Sequence, residues 1–75
     1  MRKQIELLPR EADGHFALGV ALRRQGRNKE AVTSYETALA LAPTDAEGFV
    51  NLASALSELG EHEKEIEAYR RSLQV

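Results

Sequence analysis

Seventy-five residues, ten of them Lys or Arg and twelve Asp or Glu, carry a formal charge of −2 and make one small unit with a modest core. That balance offers no concentrated basic face for nucleic acid, and the absence of cysteine excludes thiol chemistry and disulfide support. The apolar residues are interrupted every few positions, so no run is long enough to span a membrane.

The chain opens with Met1-Arg2-Lys3, but the following Gln4-Ile5-Glu6-Leu7-Leu8-Pro9 is too short and too polar for an export signal. A cytoplasmic location is the expectation. Helical spacing predicts a first helix over about residues 12–25, with Asp13 near its positive end. Gly26 can stop that helix in a left-handed conformation. A second helix follows over roughly residues 28–41, with Asn28 as its expected N-cap, and Ala42 before Pro43 closes it. Thr44 or Asp45 then caps a third helix over about residues 46–59. Gly60 ends the third, and a fourth runs from near His62 toward the chain end.

The same punctuation returns every 34 residues. Residues 9–41 and 43–75 agree at nine positions, including Pro9 with Pro43, Gly14 with Gly48, Leu18 with Leu52, Gly26 with Gly60 and Tyr35 with Tyr69. A period of this length marks stacked helical repeats, each burying its apolar face on its neighbour. The expected organisation is a preceding-helix remnant or N-terminal cap over residues 1–9, one repeat over 10–43 and a second over 44–75. The remnant rests on the alignment of Ile5-Glu6-Leu7-Leu8-Pro9 with Leu39-Ala40-Leu41-Ala42-Pro43, and the chain reads as a piece of a longer array or a minimal one.

These spacings resemble the tetratricopeptide repeat, a 34-residue helix-turn-helix unit with the pattern W-x2-L-G-x2-Y, A-x3-F, P. The first repeat reads His15-x2-Leu18-Gly19-x2-Leu22, Ala31-x3-Tyr35, Pro43; the second reads Phe49-x2-Leu52-Ala53-x2-Leu56, Glu65-x3-Tyr69. The resemblance implies an all-α pair of tandem repeats, an α-solenoid fragment, acting as a protein-interaction scaffold. Gly19 and Ala53 lack bulk and let helices approach, while Leu18, Leu22, Tyr35, Leu52, Leu56 and Tyr69 fill the space around them. Glu65 departs from Ala31 at a close helix contact. A carboxylate is not buried cheaply there, so it should reach solvent or a cation such as Lys64 or Arg70.

The first helix carries a second apolar stripe beyond the one it needs for packing, with Phe16 and Val20 at its centre and Arg23 or Arg24 at its end. In scaffolds of the resembled family the first helix of each unit lines a concave groove. By that resemblance the peptide-binding groove residues are Phe16, Val20, Arg23, Val50, Asn51 and Ser54. Asn51 has both a donor and an acceptor for a peptide amide, and is similar to the groove asparagines of O-linked N-acetylglucosamine transferase repeats. Phe16, Val20 and Val50 occupy the positions where some members clamp a C-terminal carboxylate with Lys, Arg and Asn, so that ligand is not expected.

Catalysis finds no support: His15 and His62 lack metal-ligand spacing, the glycines stand alone, and no serine has a plausible base. The expectation is a non-enzymatic chain without cofactor or metal that binds a protein or peptide, and neither nucleic acid nor membrane. Weak self-association through terminal helices is a second expectation, carried by Ile66, Tyr69 and Leu73 on the last helix and Ile5, Leu7 and Leu8 on the stub. A third is a substrate-docking or regulatory segment of a larger enzyme.

Overall fold

A computed structural model describes the backbone of residues 2–74 and the side chains of residues 11–74, so the apolar side chains of Ile5, Leu7 and Leu8 lie outside the described ones. Four helices follow in order: α1 (Arg2–Arg24), α2 (Asn28–Leu41), α3 (Ala46–Glu58) and α4 (His62–Gln74). Each packs on its neighbour in sequence, α1 on α2, α2 on α3 and α3 on α4, and α1 also touches α3. The body measures 42 × 29 × 13 Å, a slab little thicker than one helix. In such a body a residue is covered from the side only where the next helix pair stacks against it.

The turns explain this layout. Gly26 and Gly60 both take positive φ, +82° and +76°, where a residue with Cβ is strained. At the first, the Gly26 amide donates to the Arg23 carbonyl at 2.9 Å and the Arg27 amide to the Leu22 carbonyl at 2.8 Å. The second repeats this with Gly60 to Ser57 at 3.0 Å and Glu61 to Leu56 at 3.0 Å. These paired bonds satisfy carbonyls that a helix end otherwise leaves open. Three residues, Gln25 to Arg27, separate α1 from α2, and α2 covers the expected residues with a different cap. Arg27 is the N-cap of α2, without a side-chain cap, and Asn28 is already helical. The Asn28 Oδ1 is buried and finds no partner among the described residues. Asp45 does cap α3, accepting the Gly48 amide at 3.0 Å.

The two prolines behave differently. Pro43 stands in the turn that Asp45 closes, whereas α1 continues without a break through Pro9. Inside a helix proline removes one amide donor and its ring crowds the carbonyl four residues back, so this continuation is costly. Pro9 is succeeded by Arg10-Glu11 where Pro43 is succeeded by Thr44-Asp45, so no short polar side chain is available to start a new helix there. The helix expected to begin near residue 12 therefore begins at Arg2.

Tyr35 is the centre of the core and fully buried, with Ala31, Ala38 and Ala53 also fully covered. Gly19 explains how α1 and α2 come so close. A Cβ at Gly19 would stand 2.6 Å from Tyr35 Cε1 and 2.7 Å from Cδ1, well inside van der Waals contact. Leu39, Phe49, Leu52, Leu56 and Ala68 complete the cluster.

Three packing expectations change. Leu18 is 50% exposed and Tyr69 42%, because each lies on a flank with no helix pair against it among the described residues. Glu65 is half-buried but pairs with His62 Nδ1 at 3.1 Å, one turn back on α4. Lys64 and Arg70 instead meet Glu61 at 3.1 Å and Glu67 at 3.8 Å.

Candidate functional site

Packing against α2 and α4 uses only part of α1 and α3. On α3, Leu52 and Leu56 point into the core, while Val50, Asn51 and Ser54 fall on the opposite side by helical periodicity. The equivalent side of α1 presents Phe16, Val20 and Arg23.

The structure treats these six residues unequally. Phe16 is half-buried and wedged between the two first helices: its ring occupies the space a Cβ at Gly48 would need, and its centroid is 6.3 Å from that of Tyr35. Val20 is half-buried and packs against the core. Much of the second apolar stripe of α1 therefore answers to packing against α3. Val50 remains 40% exposed, with half-buried Asn51 and Ser54 on the same side of its helix. Arg23 is half-buried, and its Nε is buried with no partner among the described residues. A buried donor without a partner is a cost to the fold, and it is closed to an arriving group unless the side chain moves.

A second feature escaped the sequence reading. A surface cavity of about 180 Å³ opens between α2 and α4, floored by Phe49, Leu52 and Leu56 and walled by Glu36, Lys64 and Arg71. The Arg71 guanidinium lies 6.0 Å from the Phe49 ring centroid, within cation–π range. These charges sit at ordinary exposed-helix spacing, and only the stacking of one helix pair on the next gathers them. The 34-residue offset was the available signal, since it pairs the lining residues of one repeat with those of the other.

Among the described residues no group of three or more His, Cys, Asp or Glu gathers where it could hold a metal ion. No helix among them is long and apolar enough to cross a membrane.

Comparison with known proteins decides the family. The family model for the tetratricopeptide repeat matches residues 2–46 and again residues 16–74. The chain belongs to the tetratricopeptide repeat family. Comparison with curated proteins gives no match. Tetratricopeptide repeats generally mediate protein–protein interaction and are typically non-catalytic, which assigns the chain a protein partner as a class. Its four helices are the two helix pairs expected of tandem tetratricopeptide repeats. Tyr35 fills the aromatic position of the family pattern and Gly19 its close-approach glycine.

Proposed function

We propose that this tetratricopeptide-repeat chain holds an extended peptide or protein segment on the face formed by Phe16, Val20, Arg23, Val50, Asn51 and Ser54. The observation that carries the reading is Val50, an apolar side chain 40% exposed on a side of α3 that the core does not use. Around it the face supplies a half-buried aromatic and aliphatic floor, an amide that both donates and accepts, and the positive charge of Arg23. That combination suits a peptide with one apolar side chain, a backbone amide opposite Asn51 and an acidic group or carbonyl near Arg23. Two helix pairs offer little area, so affinity should be micromolar, about −8 kcal/mol. The reading includes a cytoplasmic setting and no catalytic step by this chain.

Peptides selected from a random display library on the immobilised wild-type chain test it. Val50→Glu and Asn51→Ala should each weaken their binding by roughly tenfold or more, the scale of losing one central contact. Peptides that bind both variants as tightly as wild type would refute the assignment of this face.

A further inference from the structure

Two cavities in this molecule are the same cavity seen twice. Leu52, Leu56, Lys64, Glu67 and Ala68 line the one between α2 and α4. Leu18, Leu22, Glu30, Thr33 and Ser34 line another against α1 and α2, each 34 residues before its counterpart. The difference lies in the wall: α2 closes the first with Glu36, and no preceding helix pair among the described residues closes the second.

The opposite flank shows the matching half. Tyr35 and Leu39 on α2 are 0% and 7% exposed because α3 completes their cover; their counterparts on α4, Tyr69 and Leu73, are 42% and 86% exposed. Leu52 is 9% exposed beneath α2, while its counterpart Leu18 is 50% exposed. One flank is thus an uncovered copy of α2, and the other an uncovered copy of the surface α2 covers. The close contact of Phe16 with Gly48 has the same pair of loose ends, because Val50 is exposed and nothing lies within 4 Å of a Cβ at Gly14.

Charge selects what covers them. Inside the molecule Glu36 faces a cavity walled by the cations Lys64 and Arg71. One repeat on, Glu36 becomes Arg70, and one repeat back Lys64 becomes Glu30. Both signs invert together, while the cavity's other two charges, Glu67 and Arg71, give way to the neutral Thr33 and Thr37. The local pairs invert as well, Glu61 with Lys64 at 3.1 Å becoming Arg27 with Glu30 at 3.3 Å. An α4 carrying Arg70 therefore complements the flank carrying Glu30, as α2 with Glu36 complements the flank carrying Lys64.

We infer that the partner fitting these flanks is a second copy of this chain, stacked head to tail. In this arrangement α4 of one copy lies on α1 of the next, as α2 lies on α3 within one copy. Leu73 and Tyr69 cover Leu18, Val50 approaches Gly14, and Arg70 meets Glu30. The two surfaces are different patches, so the contact is heterologous and leaves an open flank at each end. It shares Val50 with the peptide face, and stacking leaves that side chain half-covered, as Phe16 is half-buried against its own neighbour.

Sedimentation from about 10 µM to about 1 mM tests it, the range in which weak association is visible. Wild type should gain mass with concentration. Leu73→Glu and Leu18→Glu should each be monomeric, and both residues are exposed enough for the fold to tolerate the change, which circular dichroism checks. Mixed in equal amounts, the two variants should form a 1:1 heterodimer that grows no further, because one retains each intact flank. Arg70→Glu or Glu30→Arg should weaken association by roughly three- to tenfold, and the double variant should recover it. A wild type that stays monomeric throughout would overturn the inference and assign these flanks to a different partner. So would a mixture without heterodimer, or a double charge reversal without recovery.

Discussion

Gly19→Ala and Gly14→Ala are the same substitution on the same helix and should move stability in opposite directions. A methyl at Gly19 would lie 2.6 Å from Tyr35 Cε1, 2.7 Å from Cδ1 and 3.0 Å from Cζ, and Tyr35 is 0% exposed, held on all sides by its neighbours. Forcing one carbon into a packed site costs about 1–3 kcal/mol. Removing a helical glycine returns about 0.8–1 kcal/mol. The net loss is roughly 0.5–2 kcal/mol, which in a domain of this size lowers the melting midpoint by about 3–15 °C. At Gly14 nothing lies within 4 Å of the added carbon, so only the favourable term acts, and the midpoint should rise by about 3–8 °C. Thermal melts by circular dichroism at one low protein concentration decide the matter. A Tyr35→Leu background, which removes the ring, should abolish most of the Gly19→Ala penalty. Equal rises for both glycine variants, or the same Gly19→Ala shift with and without the ring, would refute the close-approach argument.

Tyr35→Phe should leave stability unchanged or raise it by about 1 kcal/mol, because the buried hydroxyl finds no partner among the described residues; denaturant titration measures it. Asp45→Ala should cost about 1 kcal/mol by removing the 3.0 Å cap on Gly48, and Thr44→Ala much less, as paired thermal melts will show. Glu65→Ala should stay within about 0.5 kcal/mol of wild type, because the exposed His62 pair is weak and the gain in helix propensity offsets it. A stabilisation above about 1 kcal/mol in the same melts would show the carboxylate crowded rather than paired.

The repeat was legible in the sequence because its marks are local. Gly26 and Gly60 dictate a backbone conformation, Asp45 caps its own helix, and Gly19 with Tyr35 records one close contact within a helix pair. Contacts between pairs were harder to read. Phe16 reads as a surplus apolar residue until α3 is seen to bring Gly48 against it. Leu18 and Tyr69 obey the packing pattern yet are exposed, because part of the cover at these two positions comes from a neighbouring pair. Asn28 has the chemistry of a cap, but the turn closed at Gly26 makes Arg27 the N-cap and places Asn28 inside the helix. The cavity between α2 and α4 gathers charges that each look solvated along their own helix. Only the stacking geometry places Glu36 around one cavity with Lys64 and Arg71.

The central claim is that the Val50 side of the slab, and not the cavity on the other side of α3, receives the partner. Amide chemical-shift mapping of the isotope-labelled chain, titrated with a library-selected peptide, tests this most directly. The account predicts that the largest shifts fall on Val20, Arg23, Val50, Asn51 and Ser54, with Glu36, Lys64 and Arg71 nearly still. Shifts concentrated on Glu36, Phe49, Lys64 and Arg71 would contradict it and move the binding site to the α2–α4 cavity.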